Sequence, residues 1–199
     1  AKVSSSFINH TQASINLNRE IPENISFDEL VEEGKLVWNN ELSKIKVTSQ
    51  ESEKTNEDLI KFYSSLYRTI LFPRQFHEYD LDNNQIHYSP YDGNIYDGPL
   101  YTDNGFWDTF RAVFPFYSLV YPEKLGEIIQ GIMVNPYLES GWLPEWSSPG
   151  HRDCMIGSNS ASIIAEAYLK GITDFDIEKA YEGILNNSEN EGPLSSVGR

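Results

Sequence analysis

Residues 103–133 read DNGFWDTFRAVFPFYSLVYPEKLGEIIQGIM, and this stretch decides the fold class. Phe106, Trp107, Phe110, Val113, Phe114, Tyr117 and Val120 recur at the three- and four-residue spacing of one helical face. The spacing predicts a helix that starts near Asp103 or Asn104. Pro115 lies inside it and is expected to kink it, because proline removes one backbone donor. Pro122 stands where a first helical turn tolerates proline, and Leu125, Ile128, Ile129, Ile132 and Met133 form the next apolar face behind it. Two helices joined so closely pack as an antiparallel hairpin.

Outward from this hairpin the same rhythm continues. Leu59, Phe62, Tyr63, Leu66, Ile70 and Leu71 give an earlier helix, opened by the capping signature Thr55-x-x-Asp58 and stopped by Pro73. Residues 72–104, rich in Asp, Asn, Gly and Tyr, read as a long loop, and loops of that length are usually functional. Thr48 to Thr55 is short, polar and charged, a seam between modules. Before it, Ser26-Phe27-Asp28-Glu29 has the capping-box form, and Phe27, Leu30, Val31, Trp38, Leu42 and Ile45 predict a helix from about 27 to 46. Val3 to Leu17 alternates raggedly and reads as a strand followed by a loop. On the C-terminal side, a second long loop, 135–158, carries Gly141-Trp142-Leu143-Pro144-Glu145-Trp146. A fifth helix comes next through Ile163, Ile164, Ala167 and Tyr168, and Asp176 caps a sixth that ends by about Asn187. The tail is polar and reads as loop.

Helices that alternate between one short and one long connection suit a helical toroid, in which hairpins ring a centre and the long loops gather at one rim. A plain helical bundle is the alternative, but it has no need of two long loops dense in aromatics and carboxylates. The expected class is mainly α. Six helices do not close a double ring of six hairpins, so the chain is expected to be part of a longer one.

Composition narrows the partners. Hydrophobic residues make up 39% of the chain, and 10 Phe, 12 Tyr and 4 Trp give the core bulk, which argues against disorder. The net charge of -15 repels phosphate backbones and anionic membranes, so nucleic acid is not an expected partner. A neutral or cationic ligand, or a divalent metal, fits better. No apolar run approaches the roughly 20 residues of a membrane span. The single cysteine, Cys154, excludes an internal disulfide.

The densest chemistry lies in Tyr101 to Arg111, where a loop meets a helix N-terminus. Two readings stand. Asp103 caps the helix and Asp108 pairs with Arg111 three residues on; or Trp107 stacks on a sugar face while Asp108 and Arg111 grip adjacent hydroxyls. Other candidates are weaker. Asp80-Leu81-Asp82-Asn83-Asn84 begins like a calcium loop but lacks the glycine and the closing carboxylate, and reads as a polar turn. His151, Asp153 and Cys154 fall short of a zinc set. His77 and His87 read as surface residues, and Tyr91-Asp92-Gly93 and Tyr96-Asp97-Gly98 as two Asp-Gly turns.

Taken in order, SFINHTQASINLNREIP, FYSSLYRTILFPR, GFWDTFRA, GWLPEW, MIGS and AYLKGI resemble glycoside hydrolase family 92, the calcium-dependent exo-acting α-mannosidases. The resemblance covers nearly the whole chain. It implies that residues 1–21 end an N-terminal β-sandwich domain, that 22–54 form a linker helix, and that 55–199 begin an (α/α)6 catalytic barrel. It implies an inverting hydrolase that removes terminal α-mannose from glycans, extracytoplasmic in a bacterium, with calcium as cofactor. In that family the acid, the base and most calcium ligands are placed in motifs beyond the point where this sequence ends, so the resemblance assigns no catalytic residue and no metal ligand here. The positions it carries over as sugar contacts are Trp107, Asp108, Arg111, Trp142 and Trp146. One departure stands out: many relatives have an acid and a histidine after the MIG element, where this chain has Ser158-Asn159-Ser160-Ala161. A reading from another class is a helical carbohydrate-binding or interaction module that never cleaves.

Overall fold

The computed structural model describes residues 1–48 and 53–198, the side chains of 53–55 excepted. These group into two compact units, Ala1–Ser5 with His10–Phe72, and Ser6–Asn9 with Pro73–Arg199.

The first unit holds three helices, α1 (His10–Glu20), α2 (Phe27–Leu42) and α3 (Glu53–Thr69). Helix α1 overturns the short strand segment expected within residues 1–21. Its buried positions are polar, Gln12 and Asn16, one helical turn apart. Gln12 Nε2 donates to Asn16 Oδ1 at 2.9 Å, and Asn16 Nδ2 donates to the Ser5 carbonyl at 3.0 Å. The inward stripe is therefore made of amides, and a reading that tracks the apolar residues Ile15 and Leu17 takes the wrong period.

Helix α2 carries the expected capping box: Glu29 N–H donates to Ser26 Oγ at 3.2 Å and Ser26 N–H to Glu29 Oε2 at 2.8 Å. It stops at Leu42, sooner than the apolar spacing predicts, and the Tyr63 hydroxyl of α3 holds the Ile45 carbonyl at 3.0 Å. Trp38 meets Tyr67 of α3 edge to face. The cap expected at Thr55 lies outside the described side chains.

The second unit opens with Phe7 stacked on Phe76, 4.1 Å between ring centres. The segment expected to be loop is built from short strands. β1 (Arg74–Gln75) pairs antiparallel with β5 (Tyr101–Thr102). Between them β2 (Glu78–Tyr79), β3 (Gln85–Tyr88) and β4 (Ile95–Asp97) form an antiparallel meander. The β2–β3 turn is the polar turn expected at Asp80, whose Oδ1 accepts from the backbone N–H of Asp82 at 2.9 Å and of Asn84 at 2.8 Å. The Asp-Gly turn at Gly93 forms, with positive φ, but Tyr96 and Asp97 belong to β4, and the Gly98 N–H extends that ladder to the Gln85 carbonyl at 2.8 Å.

The helix expected across 104–120 is interrupted. Asn104–Gly105 form strand β6, Phe106–Thr109 a single turn, α4, and Val113–Val120 helix α5. The break falls at Phe110 to Ala112 instead of at Pro115. Proline's ring would strike the carbonyl four residues earlier, that of Arg111, in a continuous helix. Starting α5 at Val113 puts Pro115 in a first turn, where its missing N–H costs nothing.

Helix α6 (Pro122–Ile129) does not end in a loop. A π-helical turn (Gln130–Val134) carries it into α7 (Asn135–Ser140). The Asn135 N–H reaches back five residues to the Gln130 carbonyl, which opens room ahead of Pro136. Strand β7 (Trp146–Ser147), α8 (Asn159–Leu169) and α9 (Ile177–Glu189) complete the unit, α9 capped by Asp176 as expected. Phe106, Phe114, Leu125, Ile129, Ile132 and Met133 are its fully buried centre.

Candidate functional site

Strand β6 pairs with β7, setting Asn104 opposite Ser147 and Gly105 opposite Trp146. The two segments richest in chemistry in the sequence, GFWDTFRA and GWLPEW, are thereby zipped together. Glycine is required at 105, because a Cβ there would fall inside the Trp146 ring. Phe106 N–H donates to the Glu145 carbonyl at 3.1 Å, fixing where α4 begins.

Helix α4 and the break after it present Trp107, Asp108 and Arg111 to solvent. The Asp108–Arg111 ion pair allowed by their spacing is absent among the described residues. The Arg111 guanidinium instead lies over the Trp107 ring, 4.0 Å from its centre, and 4.4 Å from that of Phe110, and Nη1 donates to the Trp107 carbonyl. The helix break at 110–112 takes Arg111 off the face that would have met Asp108. Asp103 does not cap α4 either. It adopts φ 62°, pairs with Arg74 and accepts from Ser148 Oγ at 2.8 Å, so it ties β1 to the turn after β7. Trp146 is half-buried against Gly105, beside α4. Trp142 belongs to the turn after α7: its N–H donates to Ser140 Oγ at 3.1 Å, and its ring lies close to Gly198.

Glu145 is a residue that the sequence reading passed over. It is 2% exposed, and its carboxylate accepts from the N-terminus of α8: Asn159 N–H at 2.8 Å and Ser160 Oγ at 2.6 Å, with the Ser160 N–H at 3.4 Å. Burial pushes its carboxyl up to about 7, although the bonds from Ser160 and Asn159 pull the other way. Its backbone holds α4 and its side chain holds α8. The signal in the sequence was a lone acid among Trp142, Leu143, Pro144 and Trp146, a setting in which a carboxylate needs partners. Those partners, Asn159 and Ser160, open helix α8.

The histidines read as surface residues are interior. His77 Nδ1 lies 3.2 Å from the Leu100 carbonyl, and burial lowers its tendency to protonate. His87 is 1% exposed, between the Gly98 carbonyl and Glu139 Oε1, each 2.9 Å away. His151, Asp153 and Cys154 do not converge: His151 faces Ser140, Asp153 accepts from Ser195 and Cys154 is exposed.

The model of the glycosyl hydrolase family 92 catalytic domain matches residues 12–199. This chain belongs to glycosyl hydrolase family 92. It is similar to the solved family 92 inverting mannosidase of Bacteroides thetaiotaomicron VPI-5482, at 48% identity and a TM-score of 0.90, covering 98% of this chain and 26% of that one. A family 92 α-mannosidase from Bacteroides thetaiotaomicron is 29% identical with a TM-score of 0.80, over 94% of this chain and 24% of its own. A curated relative, described as an uncharacterized secreted glycosidase of Arthroderma benhamiae, is 27% identical over 99% of this chain and 21% of its own length. The chain thus spans about a fifth to a quarter of the length of these family 92 relatives.

Among the described residues no group of three or more His, Cys, Asp or Glu side chains is placed to hold a metal ion. No helix among the described residues is long and apolar enough to cross a membrane.

Proposed function

We propose that this chain is part of an inverting exo-acting α-mannosidase that removes terminal α-linked mannose from glycans outside the cytoplasm, and that Trp107, Asp108 and Arg111 bind the sugar. The observation that carries this reading is the 48% identity, at a TM-score of 0.90, to an inverting mannosidase. In this proposal residues 55–199 begin an (α/α)6 barrel, 22–54 link it to a β-sandwich that ends by residue 21, and calcium joins the site through ligands outside this sequence.

The exposed trio suits a sugar. Arg111 stiffens the Trp107 indole by stacking on it, and Asp108 has both carboxylate oxygens available to adjacent hydroxyls, each a charge-assisted acceptor. Trp146 supplies a second aromatic wall from β7, and Trp142 contributes from the turn after α7. Inversion needs two carboxyl groups about 6.5–9.5 Å apart across the sugar, one to protonate the leaving oxygen and one to activate water. Glu145 is engaged by α8 and Asp108 by hydroxyls, so both groups come from elsewhere in the parent polypeptide.

Asp108→Asn in the complete protein tests this. With Asp108 exposed and unpaired with Arg111, the fold keeps its melting temperature, while kcat/KM on an aryl α-mannoside falls about tenfold to a hundredfold, the value of one charge-assisted bond. Unchanged kinetics would refute the sugar-binding role. The chain alone is expected to give no turnover on the same substrate with calcium present.

A further inference from the structure

We infer, on the reading that Trp107 and Asp108 bind the sugar, that Glu145 is the residue that positions them. Its carbonyl sets where α4 begins, and its side chain fixes that carbonyl to the start of α8.

Helix α4 does not place itself. It is four residues long, and Gly105 ahead of it offers no side-chain cap. A single turn has no stability of its own, because helix nucleation is unfavourable. The bond from Thr109 Oγ1 to Asn104 Oδ1, 2.7 Å, only closes the turn on itself. Three contacts tie it to the rest of the unit. The buried Phe106 ring lies edge-on to Phe114, the short ladder of β6 and β7 holds Asn104 and Gly105, and Phe106 N–H donates to the Glu145 carbonyl at 3.1 Å.

That carbonyl is held in turn by two helices. Two residues earlier, the Asn187 amide of α9 accepts from the Leu143 N–H at 3.1 Å and donates to the Leu143 carbonyl at 2.9 Å. At residue 145 the carboxylate spans the start of α8, with one oxygen on Asn159 N–H at 2.8 Å and the other on Ser160 Oγ at 2.6 Å. Ser158 gives α8 no side-chain cap, so a carboxylate 14 residues away takes that place. Helix α8 gains a negative partner at its positive end, and residue 145 gains a fixed point on a helix that packs against α4. Without the side chain, the carbonyl rests on the Leu143 anchor and β7 alone. Any shift there passes through Phe106 to Trp107 and Asp108, the next two residues, both exposed.

Steady-state kinetics of the complete protein on an aryl α-mannoside test this, in a double-mutant cycle with Asp108→Asn. Glu145→Ala raises KM about tenfold with kcat little changed, because a misplaced binding group loses ground-state and transition-state affinity together. Glu145→Gln can accept from Asn159 N–H through its oxygen and donate to Ser160 Oγ through its nitrogen, and brings KM back to within about twofold of the parent. In the Asp108→Asn background, Glu145→Ala raises KM by about threefold or less, since much of the grip it misplaces is already gone. A merely structural role predicts a lower kcat at unchanged KM, from loss of folded enzyme, and that result overturns the inference. So does full additivity of the two substitutions. Either result leaves the sugar-binding reading standing, whereas kinetics untouched by Asp108→Asn alone remove that reading and the inference with it. Should Glu145→Ala not fold, Ser160→Ala runs the same cycle from the α8 side, with KM raised about twofold to fivefold. An unchanged KM there overturns the inference.

Discussion

Helix α2 has a complete capping box and 16 residues of regular structure, yet buries none of them, and Phe27 is 78% exposed. Residues 141–160 have almost no regular structure, yet bury Leu143, Pro144, Glu145, Ser147, Asn159 and Ser160. The difference separates two kinds of order. Helix α2 is set by neighbours in sequence, through caps and spacing. The 141–160 segment is set by partners distant in sequence, through hydrogen bonds that meet buried polar groups. Order of the first kind should yield little when one bond is removed, and order of the second kind should yield a great deal.

Glu145→Ala is the strongest way to break that contrast. It leaves the Asn159 and Ser160 donors buried without a partner, and should destabilise the second unit by roughly 3 kcal/mol or more, read from denaturant unfolding and from amide exchange in α8. Glu145→Gln keeps an acceptor and should lose much less. Equal losses would mean that packing, not the bonds, holds the loop. Gly105→Ala should cost about 2 kcal/mol, because the new methyl group competes with the Trp146 ring for the same space. Fluorescence of the displaced indole would report it.

Protonation sharpens the comparison further. Burial depresses His151 from its ordinary 6.5 to about 4, so its stabilising contribution is whole above 6.5 and is lost as pH falls through 4. Burial raises Glu145 from 4.5 to about 7, so its contribution is whole below 4.5 and is lost as pH rises through 7. Between 4.5 and 6.5 the two slopes oppose. In Glu145→Gln the decline towards alkaline pH should vanish, and stability should rise with pH across that window. An unchanged profile in denaturant midpoints would count against this assignment. The smallest effect belongs to α2, where Ser26→Ala should cost about 1 kcal/mol and alter amide exchange only near its N-terminus.

Legibility in the sequence divides along the same line. The capping box at Ser26, the cap at Asp176 and the apolar faces of α3, α6 and α8 are local signals and appear where the spacing places them, except that Ile132 and Met133 fall in the π-helical turn and Tyr168 is exposed. The ordered motifs GFWDTFRA and GWLPEW pointed to the family. Hidden were the features that depend on distant partners. Gln12 and Asn16 form the inward stripe of α1, where polarity suggested a surface. His77 and His87 are interior because the carbonyls of Leu100 and Gly98 receive them. Asp103 turned from a cap into a partner of Arg74, 29 residues away. Nothing in the spacing of Asp108 and Arg111 revealed that an indole would compete for the guanidinium.

The π-helical turn at Gln130–Val134 has a consequence for how this helix tolerates changes of length. A turn of that kind absorbs one residue more than an α-helical turn without rotating the residues beyond it about the helix axis. Were one residue lost between 130 and 134, Glu139 would still point towards His87, and the deletion would be silent in phase. It would be resisted by Pro136, whose ring would then meet a carbonyl of the preceding turn, and by the loss of one of the buried residues Gly131 to Val134. A one-residue deletion at this point therefore trades against a proline and local packing, and leaves the polar interior in register.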